Sequence, residues 1–170
     1  TAAGDRILVA HFTPKEYTVA ASVDPAGVGT VNGGGTVRHG DTVKVTATAS
    51  TGYTFVNWTE GPTQVSTDAS YSFTASGDRT LVAHFSLNQY TVGVSADPAA
   101  GGTVSGGGAV NHGDVVTVVA TANTGYTFVN WTENGTQVST DATYSFTAAG
   151  SRTLAAHFTP LPQPLAHNAR

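Results

Sequence analysis

Apolar and polar residues alternate with a period of two along most of this chain. Tyr17, Val19, Ala21 and Val23 alternate with Thr and small residues, and Val43, Val45, Ala47 and Ala49 do the same. Thr54, Val56 and Trp58 fall opposite Tyr53 and Phe55 on this reading. Tyr71 and Phe73 form a further short alternation, and Leu81, Ala83 and Phe85 the last. A repeat of two is what a strand with one buried face requires, because successive side chains point to opposite sides of a sheet. Turn-forming clusters separate the runs: Asp24-Pro25, Asn32 to Gly35, His39-Gly40-Asp41, Gly61-Pro62 and Gly77-Asp78. No stretch carries a 3.6-residue period.

The same pattern then returns 73 residues later. Tyr17 to Phe85 and Tyr90 to Phe158 align without a gap, and 51 of 69 positions are identical. The first twelve residues, TAAGDRILVAHF, match TASGDRTLVAHF at Thr74 to Phe85. The expected organisation is therefore a terminal strand of a partial repeat (1–12), a linker (13–16), one module (17–85), a second linker (86–89), a second module (90–158) and a Pro-rich tail (159–170). The predicted fold class is all-β. Each of the two tandem repeats has five to six short strands, preceded by an N-terminal orphan strand. A 69-residue module buries only a modest core. Val19, Val31, Val45, Phe55, Trp58, Phe73, Leu81 and Phe85 are its expected members, with their counterparts 73 residues on.

Composition agrees and excludes several functions. Charged residues make up 11% of the chain, against about 25% in ordinary soluble domains. The aromatic and β-branched residues are too regular for disorder. A net charge of −4 with seven Lys plus Arg gives no cationic footprint for nucleic acid. No apolar run approaches the roughly 20 residues of a membrane span, and the N-terminus does not resemble a secretory signal. With no Cys, disulfides, thiolate catalysis and Cys-based metal sites are excluded. There is no Met either, so the expectation is a processed or excised piece of a longer product.

Three stretches of the second module carry a resemblance: GGTVSGGG (Gly101 to Gly108), GDVVTVVATANTGYTFVNW (Gly113 to Trp131) and TDATYSFTAAGSRTLAAHF (Thr140 to Phe158). The chain resembles the divergent internalin-B-type B repeats, bacterial modules of about this length found in secreted and cell-surface proteins, often in many copies. The resemblance covers both full modules and the stub. The family pattern usually has Gly before the Trp, where this chain has Asn57 and Asn130. The resemblance implies small β-rich modules related to the β-grasp type, no catalytic residues to carry over, and an extracellular, secreted or surface-attached location.

Candidate chemistry is sparse. His11, His84 and His157 each precede a terminal Phe and, by alternation, face solvent or a seam; His39 and His112 sit in turns. A metal site needs several converging ligands, and no HxH or HExxH spacing occurs. Ser, His and Asp are present without a nucleophile elbow. Asp24, Asp41 and Asp68 recur as Asp97, Asp114 and Asp141 but form no calcium loop, and the plain role for Asp in turns is backbone capping. No cofactor is expected. The triple-Gly segments, Gly33 to Gly35 and Gly106 to Gly108, do not open a helix and read as tight or bulged hairpins. Trp58 and Trp131 read first as core anchors. A sugar-stacking role, or glycosylation at the sequons of Asn57, Asn130 and Asn134, is the second reading.

The stub poses its own question. A lone strand leaves backbone groups and the apolar residues Ile7, Leu8, Val9 and Phe12 without partners. One expectation is addition to a sheet edge of another copy, with the tail residues Pro160, Pro162 and Pro164 lying on a neighbour. The other is docking on the first module. The function expected from sequence is a non-catalytic stalk or fibre subunit whose partners are copies of itself. The alternative is a glycan-binding or adhesion module.

Overall fold

The computed structural model describes residues 5, 7 and 9–163. They form sixteen strands, eight per repeat. The first repeat contains β1 (Glu16–Asp24), β2 (Gly29–Asn32), β3 (Gly35–Arg38), β4 (Thr42–Ala49), β5 (Tyr53–Glu60), β6 (Thr63–Ser66), β7 (Ser70–Thr74) and β8 (Arg79–Leu87). The second contains β9 (Gln89–Asp97), β10 (Gly102–Ser105), β11 (Gly108–Asn111), β12 (Val115–Ala122), β13 (Tyr126–Glu133), β14 (Thr136–Ser139), β15 (Thr143–Thr147) and β16 (Arg152–Pro160). Helical structure among the described residues is confined to the 3-10 turn Ala99–Gly101. The chain divides into two compact units between Ser86 and Leu87.

Each unit is a pair of sheets. In the first, a five-stranded sheet has the order β3-β1-β8-β5-β6 and a three-stranded sheet the order β2-β4-β7. The second repeats this as β11-β9-β16-β13-β14 and β10-β12-β15. The first and last strands of each repeat are parallel neighbours at the centre of the larger sheet. Val19–Asp24 of β1 pair with Arg79–His84 of β8, and Val92–Asp97 of β9 with Arg152–His157 of β16.

The core draws on both sheets. Val43, Val45 and Ala47 of β4 meet Val19, Trp58, Leu81, Ala83 and Phe85 of the larger sheet, with Val28 and Ala75 beside them. Val31, Phe55 and Phe73 pack against this cluster half-buried. The second unit repeats it around Val92, Val118, Trp131, Leu154 and Phe158. Trp58 is fully buried, and its indole N–H donates to the Ala69 carbonyl at 3.4 Å; Trp131 does the same to Ala142 at 3.2 Å. Such a bond lets a large aromatic side chain be buried without stranding its polar atom.

The structure corrects four local readings. First, there are eight strands per repeat, not five or six, because four-residue strands flank the turn clusters and carry too few residues to register an alternation. Second, Trp58 lies on the same side as Phe55, not opposite it. In β13 the register against β16 slips between Phe128 and Asn130, leaving Val129 as an extra residue. That bulge turns Trp131 towards Phe128, their ring centroids 6.1 Å apart. β5 has the same burial pattern, with Phe55 and Trp58 5.9 Å apart. One inserted residue inverts every later side chain, which strict alternation cannot foresee.

Third, Gly33 and Gly34 do not close a hairpin. They carry the chain from β2 in the small sheet to β3 in the large one. Both have positive φ, and a Cβ on Gly33 would fall on the Lys44 carbonyl oxygen. Fourth, half of the connector residues belong to strands: Glu16 opens β1, Ser86 and Leu87 end β8, and Gln89 opens β9. None of the described stub residues, 5, 7 and 9–12, lies in a strand, and Ile7, Val9 and Phe12 are exposed. The central slot an orphan strand would fill is already taken by β8 in one unit and by β16 in the other. Leu8 and Pro164 lie outside the described residues.

Candidate functional site

The polar outer face of the five-stranded sheet gathers side chains from four strands. Asp24 ends the paired segment of β1 directly beside His84 of β8. His84 Nδ1 lies 3.1 Å from Asp24 Oδ2, and His84 Nε2 lies 2.9 Å from Thr59 Oγ1 on β5. A carboxylate only accepts, so Nδ1 donates to Asp24; in that tautomer of the neutral ring Nε2 accepts from the Thr59 hydroxyl. Asn57, also on β5, donates from Nδ2 to Gln64 Oε1 on β6 at 2.7 Å. Gln64 is the cross-strand partner of Thr59.

Every part recurs in the second unit. His157 Nδ1 lies 3.2 Å from Asp97 Oδ2, and its Nε2 lies 2.9 Å from Thr132 Oγ1. Asn130 Nδ2 donates to Gln137 Oε1 at 2.7 Å, and Gln137 pairs with Thr132. Sequence places these histidines outward but gives no hint of their partners. Asp24 and His84 are 60 residues apart, and Thr59 and His84 are 25. Separations of that size leave no local motif. The array orders an Asp, a His and a hydroxyl as in an activated nucleophile. It sits on the face of the five-stranded sheet turned away from the core.

A second cluster ties the two sheets together. Arg79 of β8 donates to Glu60 of β5 at 2.8 and 3.0 Å and to the Tyr71 hydroxyl of β7 at 3.2 Å. Its guanidinium lies 4.2 Å from the Phe73 ring centroid. Hydrogen bonds from Arg79 hold the Glu60 carboxyl below its usual range, against a smaller opposing effect of burial. Arg152 acts likewise on Glu133. Guanidinium stacking on an aromatic face joins a charged group to the core margin.

The other candidates resolve individually. The indoles of Trp58 and Trp131 are 0% exposed, which corrects the sugar-stacking reading: neither ring has a face left for a ligand. Asn57 and Asn130 are half-buried, with Nδ2 engaged as described. Asn134 is exposed in the β13–β14 turn at φ 50°. Asp41 Oδ2 accepts from the Arg38 backbone N–H and Asp114 Oδ2 from that of Asn111, so both cap turns. Tyr17 and Tyr90 hydroxyls meet the rings of His39 and His112. No group of three or more His, Asp or Glu able to hold a metal occurs among the described residues. Among these residues, no helix is long and apolar enough to cross a membrane. Pro160 ends β16 opposite Tyr126, and Pro162 follows exposed beside a shallow depression of about 500 Å³ formed with Gly125, Tyr126 and Leu161.

A search of the curated proteins finds no match to this chain. Residues 17–89 and 90–162 each match the family model of the divergent InlB B-repeat domain, and the chain belongs to that family.

Proposed function

We propose that this chain is a load-bearing spacer in a bacterial surface or secreted protein, a stalk segment rather than a catalyst or a receptor. Membership in a tandem-repeat family that is typically non-catalytic supports a structural role. The observation that carries the mechanical reading is the parallel pairing of the first and last strands in each unit. The chain comes into a unit at the start of β1 and leaves at the end of β8. In a parallel pair these points lie at opposite ends. Tension between them shears all the β1–β8 hydrogen bonds together rather than opening them one by one. The outer-face contacts Asp24–His84 and His84–Thr59 brace the same junction from β1 across to β5.

The finer reading is a fibre built by homotypic contact. Exposed Ile7, Val9 and Phe12 present an apolar edge, and exposed four-residue strands such as β3 lie at sheet edges. Strand addition by residues 1–12 to another copy joins the two. In sedimentation velocity the intact chain is expected to form concentration-dependent oligomers, and a chain lacking residues 1–12 to remain monomeric. Equal behaviour of the two chains counts against strand addition.

A further inference from the structure

We propose that each unit closes an ester cross-link on itself, between the Thr59 hydroxyl and the Gln64 carboxamide in the first and between Thr132 and Gln137 in the second. This goes beyond the spacer role and does not depend on it. The sheet pairing gathers the residue types the reaction needs on one face. Thr59 and Gln64 are register partners on β5 and β6, beside a bulge that leaves Val65 as an extra residue of β6. The Thr59 hydroxyl is already bonded to His84 Nε2 at 2.9 Å. Asp24 holds His84 in the tautomer that can take a proton there. Asn57 Nδ2 donates to the oxygen of the carboxamide under attack.

The Asn57 contact carries a cost in the first unit that the equivalent Asn130 contact does not show in the second. Asn57 Oδ1 is buried with no hydrogen-bond partner. A stranded buried acceptor calls for a reason. Fixing the donor end of this amide on the Gln64 carbonyl, where negative charge develops during acyl transfer, is one.

The reaction balances without a cofactor or oxidant. Thr59 Oγ1 attacks Gln64 Cδ while its proton passes to His84 Nε2. The negative charge of the tetrahedral intermediate rests on Oε1, facing Asn57 Nδ2. His84 then returns the proton to the amide nitrogen, the Cδ–Nε2 bond breaks, and ammonia leaves. Thr59, His84 and Asn57 touch the reacting atoms and are catalytic for one turnover; Asp24 is a positioning residue. Holding both partners on adjacent strands supplies the proximity that free reactants lack. The loop closed is too short to add much by restricting the unfolded chain. The effect is local: the edge strand β6 is fixed to β5 and is no longer free to peel or exchange.

Intact-mass and tryptic peptide mass spectrometry of the folded full chain test this. The whole chain is expected about 34 Da below its sequence mass, and peptide 45–79 about 17 Da below, one ammonia per unit. Fragmentation of that peptide is expected to yield no backbone ions between residues 59 and 64. Mild base is expected to restore a linear peptide with Glu at position 64. Thr59→Val abolishes the loss in peptide 45–79 and leaves that in peptide 80–152. Should that variant not fold, the fragmentation gap in the unsubstituted chain decides alone. A full-mass peptide 45–79 overturns the proposal. So does a loss confined to peptide 80–152, which marks a succinimide at Asn134-Gly135.

Discussion

Replacing Trp58 by Ala is expected to unfold the first unit and leave the second intact. Trp58 is fully buried and among the largest side chains in its cluster. Truncating such an aromatic costs about 3–5 kcal/mol, part for lost burial and part for the cavity left behind. It also removes one of two donors to the Ala69 carbonyl, which keeps its bond from the Ala47 N–H. A unit of this size has a net stability on the order of 5 kcal/mol, so the loss consumes most of it. The second unit has its own core, built around Trp131. With Trp58 gone, Trp131 is the sole tryptophan. Its fluorescence should show a native transition in urea while far-UV circular dichroism falls by about half.

Gly106→Ala is expected to destabilise the second unit nearly as much. Gly106 has φ 91°, and a Cβ there would fall on the Thr117 carbonyl oxygen of β12. The left-handed backbone costs an L-residue about 1–2 kcal/mol. Displacing a ladder carbonyl adds roughly 1–3 kcal/mol, as overpacking does elsewhere. Gly113 separates the two terms. It has φ 88° with nothing within 4 Å of its would-be Cβ. Gly113→Ala should therefore cost only the backbone share, and urea midpoints of the two variants should differ accordingly.

Much of this fold is legible in the chain itself. Alternation in β1, β4 and β8 identifies Val19, Val45, Leu81 and Phe85 as core, and the repeat gives their counterparts. Legibility ends where geometry is not local. The bulge at Val129 is one extra residue with no composition of its own, yet it decides which way Trp131 faces. The triple-Gly segments advertise positive φ but not the change of sheet. The outer-face array escapes entirely. His84 reads as an outward residue, while its partners Asp24 and Thr59 reach it only through sheet pairing.

The sheet order also gives mechanical meaning to an otherwise plain module. Unit 1 has its first and last strands adjacent and parallel, so the direction of pulling should decide its resistance. The chain contains no Cys, so handles can be placed at will. Lys15→Cys with Ser86→Cys loads β1 and β8 in shear; Ala26→Cys with Ser86→Cys pulls the same pair from one end. In single-molecule force spectroscopy the first geometry is expected to need a markedly higher force, and to release about 25 nm of chain when the unit yields. Equal forces in the two geometries would contradict a load path through the central parallel pair.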